Sequence, residues 1–86
     1  MPTISRFFGV VVSMNHGDHA PPHFHAKYGG AEALIAIDGP VLIRGRLPPR
    51  ILGFVVEWAV LHRAELQDDW ERASRLEPLL PIDPLE

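Results

Sequence analysis

The chain has 86 residues, a net charge of −3 with neutral histidines, and no cysteine. This length allows one domain, residues 1–86, with a small core, and the lack of cysteine excludes disulfide bonds and thiolate metal sites. The acidic total charge argues against a general basic nucleic-acid-binding protein. Because no secretory leader and no apolar run of membrane-spanning length is recognisable, we expect a cytoplasmic protein that does not enter a membrane.

Alternating apolar residues predict four strands, and a longer apolar stripe predicts one C-terminal helix. In the first strand, the alternation places Ile4, Phe8 and Val10 on one face, with Arg6 at the rim of that same face. The fold class is therefore α+β, an antiparallel sheet of about four strands with one long helix packed on it. The predicted strands are residues 3–14, 23–28, 31–37 and 41–47, and the helix runs from about 49 to 76.

Two turns determine the predicted register of the sheet. Gly29-Gly30 suits a two-residue hairpin, and a three-residue loop at Asp38-Gly39-Pro40 pairs Ile37 with Val41. In this register one face of the sheet is apolar and the other carries polar rows. The predicted rows are His23/Ala36/Leu42, His25/Leu34/Arg44 and Lys27/Glu32/Arg46.

The predicted helix keeps one apolar stripe over its whole length when successive residues advance by 100°. His62 lies within this stripe, between Trp58 and Leu66. Two interpretations of His62 stay open, because a buried histidine needs a hydrogen-bond partner. It is either a core residue bonded to a backbone carbonyl, or it faces the loop at 16–23 and joins a histidine cluster there.

That cluster is the run from Asp18 to His25, which holds three of the five histidines of the chain. Residues 15–22 are predicted to form a stiff loop, since Pro21-Pro22 restricts the backbone and both proline bonds are expected in the usual trans form. His23 and His25 are two positions apart in a predicted strand, so their side chains point to the same face.

Three functions fit the cluster. In the first, no cofactor is needed: His23 and His25 act as acid and base on RNA, while Lys27 and Arg44 stabilise the charge on the phosphate. In the second, His23 and His25 bind Zn²⁺ or another divalent metal, and His19 or Asp18 from the loop, or His62 from the helix, supplies a third ligand; such a site would generate hydroxide at neutral pH. In the third, the residues only hold the loop together.

Three blocks of the sequence resemble a known family: residues 1–5 with 7–9, the run 18–25, and residues 47–50 leading to Glu57-Trp58. The chain is similar to the small bacterial family numbered 4160 among the domains of unknown function. The run Asp-His-Ala-Pro-Pro-His-Phe-His is the most specific part of the resemblance, which extends over nearly the whole chain. It implies no catalytic residue, because the activity of the family is not established.

The resemblance also implies a partner, since members of this family are similar to components of toxin–antitoxin pairs. Residues and resemblance together predict a toxin-like protein that acts on RNA or translation through the histidine cluster. A divalent-metal-binding module or metal-dependent hydrolase is the first alternative, and a non-catalytic protein-binding module is the second. The expected partners are a small cognate protein and RNA or the ribosome, and the apolar helix also allows a homodimer.

Overall fold

A computed structural model describes residues 2–86 as an antiparallel sheet followed by two helices. The five strands lie in the order β1-β2-β3-β4-β5, so each strand pairs with its neighbours in sequence. The α+β class is confirmed, with five strands in place of about four and two helices in place of one. The elements are β1 Thr3–Phe7, β2 Val10–Ser13, β3 His23–Tyr28, β4 Ala31–Ala36, β5 Val41–Gly45, α1 Pro49–Leu61 and α2 Arg63–Ser74.

The predicted first strand is divided by a tight turn at Phe8-Gly9, which gives the fifth strand. Both residues have positive φ, 49° and 80°, as a two-residue type I′ hairpin requires. The turn pairs Phe7 with Val10, so Phe7 lies on the core face and Phe8 is exposed. Glycine adopts positive φ freely, whereas phenylalanine does so at an energetic cost. Because phenylalanine is unusual in such a turn, the sequence pattern favoured one continuous strand through Phe8.

The same turn moves Arg6 to the other face of the sheet. Arg6 pairs with Val11 and is exposed, whereas Phe7 and Val10 point into the core. The expectation that Arg6 lies at the rim of the apolar face is therefore wrong. We call the face that carries Arg6 the polar face of the sheet.

The connection from β4 to β5 is longer than predicted. Residues 37–40 form it, Ala36 pairs with Val41, and Ile35 pairs with Leu42, so the predicted pairing of Ile37 with Val41 is wrong. Ile43 is then an extra residue, a β-bulge, after which Leu34 pairs with Arg44. Because the bulge offsets the longer turn, the predicted row His25/Leu34/Arg44 is confirmed. The row that begins with His23 and Ala36 ends at Val41, whereas Leu42 was predicted there.

Two backbone contacts support the predicted row Lys27/Glu32/Arg46. Lys27 pairs with Glu32, and the backbone N–H of Arg46 donates to the Glu32 carbonyl at 3.2 Å. Gly45, the residue before Arg46, has φ of 76°, and a Cβ on it would lie 2.1 Å from the Glu32 carbonyl oxygen. Only glycine fits this crossing of the two strands.

His62 separates the two helices where one long helix was predicted. Its φ of −114° and ψ of 28° depart from helical values, yet hydrogen bonds bridge the interruption. The N–H of His62 donates to Trp58, and its carbonyl accepts from Leu66. The apolar stripe therefore continues through the break, which explains why the periodicity gave no sign of it.

The second helix ends at Ser74, two residues before the predicted end, in a Schellman motif. Glu77 N–H donates to the Arg72 carbonyl and Leu76 N–H to the Ala73 carbonyl. Leu76 occupies the left-handed position, with φ of 58°, that glycine usually takes. The peptide bonds Ala20-Pro21 and Gly39-Pro40 are cis, so the expected trans form of the first one is wrong.

The core lies between the apolar face of the sheet and α1. Trp58 is fully buried there, with its ring centroid 5.3 Å from Phe7 and 5.7 Å from Phe24. The C-terminal segment closes one side, because Trp58 Nε1 donates to the Asp83 carbonyl and the N–H of Ile82 donates to Ile4. None of the helices among residues 2–86 has the length and apolar character needed to cross a membrane.

Candidate metal centre

The polar face of the sheet contains a buried histidine pair at the start of β3. Strand alternation places His23 and His25 opposite Phe24, which packs against Trp58 on the other face. The sequence also predicted that His23 and His25 lie on the face of the sheet opposite Phe24. Both histidines are nevertheless buried, with 6% and 8% of their surface exposed, so something covers this part of the polar face.

The cover comes from the 15–22 loop and from α2. The ring of Trp70 lies 5.2 Å from the ring of His23, and the N–H of Gly17 donates to the Ala73 carbonyl at 3.1 Å. The loop is thus attached to the C-terminal end of α2, and it carries Asp18 over the two imidazoles.

The hydrogen bonds of His23 determine which nitrogen carries its proton. Nδ1 lies 2.8 Å from the backbone oxygen of Pro21, and because a carbonyl oxygen only accepts, Nδ1–H must be the donor. In the neutral ring Nε2 then has a free lone pair. This Nε2 lies 3.0 Å from Oδ2 of Asp18.

His25 carries its proton on the same ring nitrogen as His23. Its Nδ1 lies 3.3 Å from Oε2 of Glu32, so Nδ1–H donates to that carboxylate. Its Nε2 lies 3.4 Å from the amide nitrogen of Asn15, which can donate to it. The same Nε2 is 3.7 Å from Oδ2 of Asp18, the oxygen that also faces His23.

Asp18 is held in its ionised form. The backbone N–H of His19 donates to Oδ1 at 2.8 Å, and this bond is the main reason that the pKa of the Asp18 carboxyl is below its usual value. Burial raises this pKa, whereas His23 in its protonated form lowers it through its charge and its hydrogen bond. A carboxylate is therefore available to a cation at neutral pH.

Three candidate ligand atoms converge at this point. One atom each from Asp18, His23 and His25 lies within 4.8 Å of the other two. A tetrahedral ion with ligands about 2.1 Å away separates its ligand atoms by about 3.4 Å. The distances of 3.0 and 3.7 Å from Asp18 Oδ2 to the two Nε2 atoms are close to this spacing.

Other histidines do not join this group. His19, predicted as a possible ligand, is exposed and contributes only its backbone N–H. Nε2 of His16 lies 2.8 Å from the Glu77 carbonyl oxygen. His62 is in neither predicted environment: its Nδ1 contacts Glu65 at 2.6 Å, and its ring lies 5.7 Å from that of Trp58.

The predicted anion partners lie on the same face but outside the buried group. Lys27 follows His25 by two positions in β3, and Arg44 lies two strands away in the row that contains His25 and Leu34. Both side chains are exposed. Their placement on the polar face is as predicted, whereas no hydrogen bond connects them to either imidazole among residues 2–86.

Sequence reasoning missed the residues that orient the histidines. Glu32 was assigned to a cross-strand row with Lys27, although the predicted register already placed it diagonal to His25, within reach of a long side chain. Asn15 and Trp70 gave no usable signal, since their positions depend on how the loop docks against α2.

Comparison with known protein families identifies a match for this chain. The family model with the description "Domain of unknown function (DUF4160)" matches residues 9–71, more than half of the chain and including the whole histidine cluster. No curated protein and no solved structure matches at a significant level.

Proposed function

The chain belongs to the family described as a domain of unknown function, DUF4160, and since membership assigns it no activity, we propose a function from the site itself. We propose that the protein is a divalent-metal-binding domain. Asp18, His23 and His25 are the ligands, and the ion activates water for hydrolysis.

The observation that carries the proposal is the orientation of the two imidazoles. Each Nδ1–H already has an acceptor, so in the neutral rings both Nε2 lone pairs are aimed at one carboxylate oxygen, 3.0 and 3.7 Å away. Three electron-rich atoms that face one another are mutually repulsive. A cation between them changes this repulsion into attraction.

The surroundings of the histidines match those of metal ligands. Ligating histidines usually donate the second ring N–H to a carboxylate or a backbone carbonyl, which orients the ring. His23 donates to the Pro21 carbonyl and His25 to Glu32. Trp70 beside His23 further restricts the orientation of that ring.

The donor set indicates the class of metal and its chemistry. Two imidazole nitrogens and one carboxylate oxygen suit zinc and other first-row divalent ions better than calcium or magnesium. Three protein ligands leave a position for water, as in catalytic rather than structural zinc sites. An ion in such a site lowers the pKa of bound water toward 7 and provides a hydroxide nucleophile.

Metal titration tests the proposal. We expect one Zn²⁺ or Co²⁺ per chain by equilibrium dialysis, with the visible absorption of a nitrogen- and oxygen-ligated Co²⁺. Asp18→Asn and His25→Ala should each weaken binding by about 100-fold or more, because only two protein ligands remain. His19→Ala is the matched control and should bind normally, since His19 is exposed next to the site. Equal binding by all four proteins would refute the proposal.

A second candidate needs no metal. The 3.0 Å contact between His23 and Asp18 is also the geometry of an imidazolium–carboxylate pair, and His25 could then serve as the base. In this form the protein is a toxin-like nuclease in which Lys27 and Arg44 contact the phosphate and a small cognate protein is the inhibitor.

Two experiments separate this candidate from the first. Nuclease activity that survives exhaustive chelation supports the metal-free mechanism, while activity that is lost and restored by Zn²⁺ supports the metal. Growth arrest on expression tests the toxin-like role: if the wild type and His25→Ala both leave growth unchanged, that role is wrong.

A further inference from the structure

The cationic side chains divide into two groups that differ in their contacts. On the helices, Arg63, Arg72 and Arg75 form ion pairs with Asp38, Asp68 and Glu77, and Arg50 lies over the Phe54 ring. The remaining four cations form no ion pair with any residue in the range 2–86, and all four are exposed. They are Arg6, Lys27, Arg44 and Arg46.

Three of the four unpaired cations are in the sheet and the fourth directly follows its last strand, and the register of the sheet brings them together. Arg6 pairs with Val11, which pairs with Lys27, so both cations share one row of the polar face. Arg44 lies on the same face in the row of His25. Arg46 directly follows the end of β5.

Spacing and exposure make these cations a continuous surface. Arg6 and Lys27 are two strands apart, as are His25 and Arg44, which corresponds to about 10 Å in each case. Two carboxylates lie near them, Glu32 bonded to His25 and Asp18 bonded to His23, so four positive charges stand against two negative ones. The polar face is therefore positive although the whole chain carries −3.

We propose that the polar face of the sheet binds the phosphodiester backbone of single-stranded nucleic acid. The inference rests on the proposed function in one respect, because it names the substrate class of the Asp18–His23–His25 site. The row that contains Arg44 also contains His25, so a backbone held by the cations passes beside the site.

The distribution of charge favours a nucleic acid over an acidic protein strand. A strand that adds to the sheet does so at an open edge, here β5, where it meets Arg44 and Arg46. Lys27 lies two strands away from β5 and Arg6 four strands away, beyond such a strand. A flexible polyanion laid across the face reaches all four, and the sheet width of about 19 Å suits about four nucleotides.

The polar face has few groups that read bases. Among the described residues its only ring side chains are histidines, and those are buried. Base stacking therefore contributes little, and we expect binding that is independent of sequence and sensitive to salt. Four neutralised phosphates predict a slope of about −3 for the logarithm of the affinity against the logarithm of the salt concentration.

Fluorescence anisotropy with labelled oligouridine and oligothymidine 12-mers tests the proposal. The triple variant Arg6→Gln/Lys27→Gln/Arg44→Gln should bind at least tenfold more weakly than the wild type, with a slope of about −0.7, because only Arg46 remains. The matched control is Arg63→Gln/Arg72→Gln/Arg75→Gln, which changes the total charge equally but alters only ion-paired arginines. It should bind within about twofold of the wild type, and circular dichroism verifies the fold of both variants.

Several outcomes would overturn the inference. Equal weakening by the two triple variants would show that only the total charge matters, and a wild type that binds neither oligonucleotide would exclude the surface. Competition by polyglutamate as strong as that by oligouridine would assign the face to an acidic protein. Equal affinity for the two oligonucleotides supports the proposal, since both present the same phosphodiester chemistry.

The proposed metal site and the proposed nucleic-acid-binding surface can be refuted independently. Asp18→Asn should lose Zn²⁺ binding and retain oligonucleotide binding, while the sheet triple variant should do the reverse. If the sheet triple variant binds both ligands normally, the surface is wrong and the metal site stands. If Asp18→Asn binds Zn²⁺ normally, the site is wrong and the surface stands.

Discussion

The two faces of the sheet are both buried in part, but by different means. Phe24 has no exposed surface and packs on Trp58, whereas its chain neighbour His25 is 8% exposed and bonded to a carboxylate. On the apolar face Trp58 of α1 packs against Phe7 and Phe24. On the polar face a loop and the far end of α2 cover a small group of polar atoms.

The comparison shows how this small domain separates stability from chemistry. Apolar burial contributes free energy in proportion to area and tolerates no partnerless polar group. The histidines occupy a place where each polar atom has a partner or faces Asp18. We therefore expect substitutions on the first face to change unfolding, and substitutions on the second to change ligand binding.

Phe24→Ala should have the largest effect. It removes a fully buried ring from contact with Trp58 and should lower the free energy of unfolding by about 3–5 kcal/mol. His25→Ala, one position away, should cost less than about 2 kcal/mol, because it mainly removes hydrogen bonds. Urea unfolding measures both, and equal losses would remove the distinction between the faces.

Glu32→Ala should come next, with its main effect on metal binding. Glu32 accepts the Nδ1–H of His25 at 3.3 Å, and loss of such an orienting group weakens metal binding by about 10- to 100-fold. Glu57→Ala removes an equal charge from an exposed position on α1 and should leave the Zn²⁺ affinity unchanged. Parallel losses in both variants would indicate a general charge effect.

Asp69→Asn should have the smallest effect, below about 1 kcal/mol. Asp69 is buried on α2, and burial raises the pKa of its carboxyl, although the Leu80 N–H bonded to Oδ1 opposes the rise. Its contribution to stability is therefore complete at acidic pH, below its unfolded-state pKa, and is lost as the pH rises through its higher native pKa.

The asparagine variant keeps the acceptor for Leu80 and cannot ionise. Its stability relative to the wild type should increase with pH, as measured by urea unfolding at pH 4 and pH 8. A difference that is the same at both pH values would show that the Asp69 carboxyl does not titrate differently in the native state.

Local patterns were sufficient for most of the sheet. Alternation placed Phe24 and His25 on opposite faces, and the Gly29-Gly30 turn gave the correct pairing of β3 with β4. The division at Phe8 was missed because a phenylalanine rarely takes positive φ, so Gly9 was the only sign of a turn. At Ile43 the bulge restored a register that the longer turn had shifted, and neither feature has a sequence pattern of its own.

The candidate site was predictable in its residues but not in its assembly. His23 and His25 follow from strand periodicity, and Asp18 was included as a possible ligand. The exclusion of His19 depends on the backbone conformation of the loop, in which its N–H bonds to Asp18. The covering by Trp70 depends on how α2 meets that loop, which is a tertiary contact.

The order of the strands has a consequence for how fast the chain folds. Since every strand pairs with the next one along the chain, the sheet assembles by closing short loops, and its contact order is low for a sheet of five strands. The bond from Ile82 to Ile4 has the largest sequence separation among the backbone hydrogen bonds of the described residues. We expect this contact to form late, after a rapidly folding nucleus of hairpins has been completed.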